Sequence, residues 1–247
     1  MDEVNYLNKG FYKDLDTNFE QAYYMCERSF EHEELSNMLR NGNIPQKQIA
    51  ALRFDYVSNI EDAELLLDNL TGCDGKIREA VAYTVNRILI TQPEAKKFFV
   101  PISADVFAAS TIDINANICR YTVDNAVLLR EDNDFSVKYT ENIVKYTKEA
   151  YSEIEKFIFR DKKYVINKQI FKLYWCLEAL RFFYMCTSKD VMTEILEKAV
   201  KQNEYTVREK AAQIVLVCND FPEIRKSLEN DENYYVREVF SRQKSQI

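Results

Sequence analysis

Apolar residues recur at helical spacing through most of this chain of 247 residues, whereas convincing runs of strict apolar–polar alternation do not occur. The stretch CDGKIREAVAYTVNRIL, residues 73–89, shows the pattern clearly. Its small and apolar side chains return every three or four positions and share one helical face: Ile77, Ala80, Val81, Thr84 and Ile88. The pattern predicts a helix that buries this face in a core.

Breaks between such segments predict pairs of helices joined by short connections. A helix over about 31–40 ends at Asn41-Gly42-Asn43, and the next begins at Pro45, a favoured first helical position. Pro93 and Pro101 are expected to punctuate the segment that follows residue 92. Further helices are predicted at about 114–130, 134–158, 163–186, 188–201, 204–218, 221–229 and 233–243. The sequence therefore predicts an all-α fold of about six consecutive antiparallel helical hairpins.

Several of the second helices start in the same way. DGKIREAVAYTV begins at residue 74, EYTVREKAAQIV at 204 and NYYVREVF at 233, and each has a polar cap followed by Val or Ile, Arg and Glu. NANICRYTVDNAVLL, from residue 115, fits with Cys119 in the place of the arginine, and the helix from 163 keeps the apolar period without the arginine. These charges recur along the chain, so we assign them to helix starts rather than to a catalytic centre.

The combination of an Asp or Asn turn, Val-Arg and an Ala-rich amphipathic helix resembles the HEAT-type helical repeats. The resemblance implies an α-solenoid with first helices on one face and second helices on the other, over a continuous domain of residues 31–247. Residues 1–30 would form an acidic helical cap. The family's ladder of Asp and Arg between adjacent turns would include Arg78, Arg208 and Arg237.

Composition and charge agree with a helical protein. Only four Gly and four Pro occur, which leaves few turn residues for a many-stranded sheet. The net charge is −7, and residues 1–70 hold 14 acidic against 6 basic side chains, so the rest of the chain is close to neutral. One local basic run, over 160–172, contains Arg160, Lys162, Lys163, Lys168 and Lys172. Such a run is more often a solvated helix start than a nucleic-acid site.

Several classes of site lack their motifs. Six cysteines occur without a CxxC pair, which indicates free thiols and favours a cytoplasmic protein. The first residues do not resemble a secretory signal, and no run approaches 18 apolar residues. No glycine-rich phosphate-binding loop occurs, and His32 is the only histidine and is expected at the surface. We therefore expect no cofactor, no metal and no membrane partner.

Candidate partner-binding residues come from the faces that the core does not use. In the helix from residue 75, Tyr83 and Arg87 lie opposite the apolar face, and a shift of one repeat places Arg120 and Asp124 similarly. The aromatic helix over 163–186 is either core or presents one edge to a groove. The full candidate set is Tyr83, Arg87, Arg120, Asp124, Lys172, Trp175 and Arg181.

The sequence favours a non-catalytic scaffold that binds another protein or a peptide. An alternative is a DNA-binding enzyme, because the small HEAT-like DNA glycosylases of alkylation repair are similar in size and helix content. That resemblance would require a catalytic acid, either Asp124 or Asp161, beside Trp175 and the basic run, and the acidic net charge disfavours it. The resemblance also implies a third alternative, a chromophore lyase or its chaperone subunit.

Overall fold

The computed structural model describes Tyr23, Met25, Cys26 and the ranges 28–157 and 163–244. Within them the chain is helical, and no strand is found. Twelve α-helices follow one another: α1 His32–Asn41, α2 Ile44–Arg53, α3 Ile60–Asp68, α4 Gly75–Thr91, α5 Lys96–Thr111, α6 Ala116–Leu129, α7 Asn133–Phe157, α8 Lys163–Phe183, α9 Lys189–Val200, α10 Tyr205–Cys218, α11 Pro222–Glu229 and α12 Tyr234–Lys244. Short 3₁₀ turns occur at Pro93–Ala95 and Tyr184–Cys186.

Most of the cap expected over residues 1–30, and the residues Arg160, Asp161 and Lys162 of the basic run, lie outside the described residues. The all-α prediction is confirmed for the ranges above, and the helix limits match the predicted ones to within a few residues. Among the described residues, no helix is long and apolar enough to cross a membrane.

Polar side chains start many of the helices. Each accepts a hydrogen bond from a backbone N–H of the first turn, which would otherwise have no partner within the helix. These caps are Asn43, Asn59, Asp74, Asn115 and Ser188. Asp74 accepts from the Lys76 amide at 2.8 Å, so its role at the start of α4 is the capping role that the sequence predicts.

The helices form two rows. Each even-numbered helix packs against the next even-numbered one, from α2 through α12, and the odd-numbered helices follow the same order. Each odd-numbered helix also packs against the even-numbered helix that follows it in the chain. The apolar face predicted for α4 is buried between these neighbours. The twelve described helices are thus packed against their neighbours around one continuous apolar core.

Two of the predicted arginine pairs join adjacent turns. Arg78, at the start of α4, donates from Nε to Asp113 at 2.8 Å, and Arg208, at the start of α10, donates from Nε to Asp231 at 2.7 Å. Each aspartate lies in the turn before the next even-numbered helix. Arg237 instead donates to the carbonyl oxygens of Asp231 and Glu232 in its own turn.

The sequence predicts a break at Pro101, but the helix continues through this residue. It lies inside α5, which continues to Thr111. Pro101 is exposed, while Phe99 and Phe107 of the same helix are fully buried. A proline removes one backbone hydrogen bond and disfavours a helix interior. The proline faces away from the core, so α5 can still bury its aromatic side chains. That burial outweighs the cost of the lost hydrogen bond.

Candidate functional site

A cleft lies where α6, α8 and α10 meet. It has a volume of about 530 Å³ and is open on one side, and its lining is mostly apolar. We call it the aromatic cleft, and its lining residues are Ala116, Asn167, Ile170, Phe171, Tyr174, Trp175, Glu204 and Thr206. Its volume falls within the range of ligand sites in proteins.

Three aromatic rings from one edge of α8 form the main wall of this cleft. Phe171, Tyr174 and Trp175 are spaced by three and four residues, which places them on the same side of the helix. The Trp175 ring lies 5.2 Å from the Tyr174 ring and 6.4 Å from the Phe171 ring, centroid to centroid. The ring planes meet at 83° and 70°. The wall therefore consists of steeply angled aromatic surfaces.

The aromatic helix is both core and surface. Toward its C-terminal end, Leu173, Leu177 and Leu180 are fully buried. Trp175 is half-buried, and its indole Nε1 is buried with no hydrogen-bond partner among the described residues. Buried N–H groups without an acceptor are uncommon in folded proteins. Trp175 thus combines a partly exposed ring with a buried N–H that has no acceptor among the described residues.

Glu204 is the one charged residue of the cleft lining. It occupies the N-cap position of α10, where its side chain makes no capping hydrogen bond. The residue is exposed, and its carboxylate has no ion pair in the part of the chain that the structure describes. Arg208 lies one turn away, but its donors are directed to Asp231 and to the carbonyl oxygens of residues 202 and 203.

A second carboxylate, Glu178, lies one turn after Tyr174 and Trp175 on α8 and is fully paired. It accepts from Lys210 Nζ at 2.7 Å and from Arg181 Nη2 at 2.6 Å. The Lys210 ammonium also lies over the Tyr174 ring, 4.6 Å from its centroid. Burial opposes the ionisation of Glu178, but the hydrogen bonds from Arg181 and Lys210 outweigh it and lower its pKa below the usual range.

A smaller cleft of about 240 Å³ lies between α2, α4 and α6. We call it the tyrosine cleft, and it is lined by Gln48, Leu52, Lys76, Glu79, Ala80, Tyr83 and Tyr121. The Tyr83 and Tyr121 rings meet edge to face, with centroids 5.7 Å apart. Both clefts are formed by even-numbered helices, and α6 contributes to both.

The candidate residues of α4 have different surroundings. Tyr83 is 41% exposed and lines the tyrosine cleft. Arg87 donates to the carbonyl oxygens of Leu52 and Phe54 and pairs with Asp55. Arg87 therefore holds the C-terminal end of α2 against α4 through its Nη2 group.

The candidate residues of α6 lie beside the tyrosine cleft. The Arg120 guanidinium is exposed, lies 5.1 Å from the Tyr121 ring centroid, and donates to Asn117. Asp124 is exposed, and its pKa is raised by partial desolvation, while Arg120 opposes this rise and Glu178 adds to it. Arg120 and Tyr83 thus both lie against the Tyr121 ring.

The candidate residues of α8 separate into two groups. Trp175 lines the aromatic cleft and Lys172 is half-buried nearby on the same helix. Arg181 is held by Glu178 and lies over the Phe182 ring, 4.1 Å from its centroid, so it belongs to the paired cluster. Sequence reasoning missed Glu204 and Tyr121 as site residues. Their exposure beside aromatic side chains depends on helix packing.

His32 is not the surface residue that was expected. Its Nε2 lies 3.0 Å from Asp62 Oδ1, and its ring stacks on Tyr56 with centroids 4.3 Å apart. The side chain is 23% exposed. The prediction was wrong because Asp62 is buried in the neighbouring α3 and requires a donor. In the described ranges, no group of three or more His, Cys, Asp or Glu side chains is arranged to hold a metal ion.

Comparisons of the chain with protein-family models, with curated proteins and with solved structures gave no match.

Proposed function

We propose that the protein is a non-catalytic scaffold of the α-solenoid type, built from HEAT-like hairpins, that binds another protein through the row of even-numbered helices. The observation that carries this proposal is the pair of aromatic clefts on that one row, sharing α6. Tyr and Trp dominate the energetic centres of protein interfaces. A partner segment that contacts both clefts would bury several such side chains at once.

The exposed aromatic residues continue beyond the two clefts. Tyr205 of α10 and Tyr235 of α12 stack with centroids 5.7 Å apart and are 37% and 55% exposed. Tyr234 is 60% exposed and contacts Tyr235 edge to face. Aromatic side chains with this exposure therefore occur on α4, α10 and α12, all of the even-numbered row. An extended surface of this kind suits a peptide or a helix better than a small substrate.

The polar groups of the aromatic cleft favour recognition over acid–base chemistry. Besides the Tyr174 hydroxyl and the Trp175 indole N–H, they are Asn167, Glu204 and Thr206, and no hydrogen bond joins these three side chains to one another among the described residues. General acid–base or nucleophilic catalysis uses groups within hydrogen-bonding reach of each other. Six unpaired cysteines support a cytoplasmic location for the scaffold.

Affinity purification with matched variants tests the proposal. Phe171→Ser and Tyr83→Ser each remove one aromatic ring, one in each cleft. Tyr164→Ser is the control because Tyr164 is 82% exposed on α8 and outside the lining. We expect the wild-type chain to recover a stoichiometric protein partner that Tyr164→Ser retains and both cleft variants lose. Recovery of the same partner by all three variants, with unchanged circular dichroism, would contradict the proposal.

A further inference from the structure

We propose that the aromatic cleft binds an arginine side chain of the partner, with the guanidinium stacked on the angled rings of α8 and paired with Glu204. The inference rests on the proposed scaffold function and assigns the chemistry that one cleft recognises. It is argued from the ring geometry, from the unpaired carboxylate and from a similar arrangement within the protein itself.

The rings offer their faces to a cation. Aromatic faces attract a guanidinium or ammonium group, most strongly at Trp, when it approaches within about 6 Å of the ring centroid. The Trp175 ring is steeply inclined to the rings of Phe171 and Tyr174. A planar group that stacks on one of these rings therefore also contacts the neighbouring ring. A flat cation with an apolar stem fits such a wall, because its methylene groups cover the apolar lining.

The carboxylate of Glu204 at the edge of the cleft makes no ion pair with the described residues. Glu178 has two basic partners, Arg181 and Lys210, whereas Glu204 has no ion pair among the residues described. Lys210 shows what a cation does on this wall, because its ammonium lies over the Tyr174 ring while it pairs with Glu178. On the open side, Trp175 and Glu204 line the same cleft, so an aromatic ring and a carboxylate occur together there as well. The missing component there is the cation.

Arginine fits this combination better than lysine. Its guanidinium is planar, stacks on aromatic faces and donates two parallel hydrogen bonds to one carboxylate. An ammonium is a compact charge that is more strongly hydrated, so it loses more on entering an apolar cleft.

The test uses the only tryptophan of the chain as its own reporter, because Trp175 is in the cleft wall. The full-length protein is titrated with the peptide acetyl-Ala-Leu-Arg-Leu-Ala-amide, and with versions that carry citrulline, lysine or trimethyl-lysine in place of arginine. We expect a saturable change in tryptophan fluorescence with the arginine peptide. Loss of the charge in citrulline should weaken binding about ten-fold, as expected for a lost charged hydrogen bond.

Glu204→Gln should weaken the binding of the arginine peptide about ten-fold and leave the affinity for the citrulline peptide unchanged. The matched control is Glu141→Gln on α7, an exposed carboxylate outside both clefts, which should bind like the wild type. Circular dichroism establishes that each variant is folded. Higher salt should weaken the arginine peptide more than the citrulline peptide, which gives a second measure that needs no mutation.

Three results would overturn the arginine inference. Equal affinity for arginine and citrulline peptides would mean that the cleft recognises an apolar side chain, and the scaffold proposal would then stand. Tighter binding of trimethyl-lysine would assign the cleft to a methylated lysine. If no peptide alters the fluorescence, arginine recognition is excluded, and the scaffold proposal is decided separately by the purification with Phe171→Ser and Tyr83→Ser.

Discussion

Arg208 and Asp231 form a buried two-pronged ion pair, with Nε 2.7 Å from Oδ2 and Nη2 3.0 Å from Oδ1. Their side chains are only 7% and 8% exposed. Arg208 also donates to the carbonyl oxygens of Gln202 and Asn203, and Asp231 accepts from the Asn233 amide. The pair thereby joins the start of α10 to the turn before α12, and each buried charge has hydrogen-bond partners.

Removing Asp231 should therefore destabilise the protein strongly. Asp231→Ala leaves the Arg208 guanidinium buried without its carboxylate, and we expect a loss of about 3 kcal/mol in the free energy of unfolding. Urea denaturation followed by circular dichroism measures this change.

The neighbouring carboxylate provides the control for that experiment. Glu232 Oε1 is 3.4 Å from Arg208 Nη2, but the Glu232 side chain is 89% exposed. Because exposed ion pairs contribute little, Glu232→Ala should leave the free energy of unfolding almost unchanged. Equal losses in the two variants would show that burial does not set the strength of these contacts.

The resemblance to HEAT-type repeats implied a carboxylate partner for Arg208, and the structure identifies that partner as Asp231. The repeated start of α4, α10 and α12 places an arginine one turn into each helix, and a turn carboxylate of the next hairpin meets it in two of them. Helix starts were predictable for the same reason, since capping involves residues two or three positions apart. The caps depend on short separations along the chain, whereas the positions of the arginines were predictable from the repetition of the helix starts.

The clefts could not be predicted in this way. Glu204 and Trp175 lie in different hairpins, and whether the edge of α8 with Trp175 stays open depends on how α6 and α10 pack around it. Arg87 shows the opposite error. Its position on α4 predicts an outward side chain, yet it reaches carbonyl oxygens at the end of α2. The last carbonyl groups of a helix lack partners within the helix, so a long basic side chain nearby is drawn to them.

The carboxylate of Glu178, which is paired with Arg181 and Lys210, should make the stability of the protein depend on pH. Because the pKa of Glu178 is lowered in the folded protein, the unfolded chain takes up the proton first as the pH falls. The contribution of Glu178 is therefore complete above its unfolded pKa of about 4.3 and is lost as the pH falls through the folded value. Glu178→Gln should be less stable than the wild type at about pH 7, and the difference should shrink toward about pH 3.5.

Urea denaturation at a series of pH values measures both curves for Glu178→Gln. Glu141→Gln, an exposed carboxylate on α7, should give a curve parallel to that of the wild type. A constant difference between Glu178→Gln and the wild type over this range would contradict the lowered pKa of Glu178.

The hydrogen bonds of Asp62 should stabilise the first two hairpins. It accepts hydrogen bonds from the Ser58 amide and hydroxyl, both at 2.9 Å, and lies 3.0 Å from His32. We expect Asp62→Ala to lower the free energy of unfolding by about 2 kcal/mol, because it leaves partly buried donors without an acceptor. Glu61→Ala is the control, since Glu61 lies in the same first turn of α3 and is exposed. Thermal or urea unfolding compares the two, and an equal effect would contradict this role for Asp62.

The cysteines should react with alkylating reagents in the order of their exposure and thiol pKa. Burial raises the pKa of Cys176 and of Cys119 to about 12, whereas Cys26 is exposed. Because the thiolate is the reactive form, iodoacetamide at about pH 8 should label Cys26 rapidly and spare Cys119 and Cys176 in the folded protein. In urea all three should react at similar rates, which gives the control. Mass spectrometry of tryptic peptides measures each rate. Rapid labelling of Cys176 in the folded protein would contradict its position in the apolar core, where it lies on the buried side of α8.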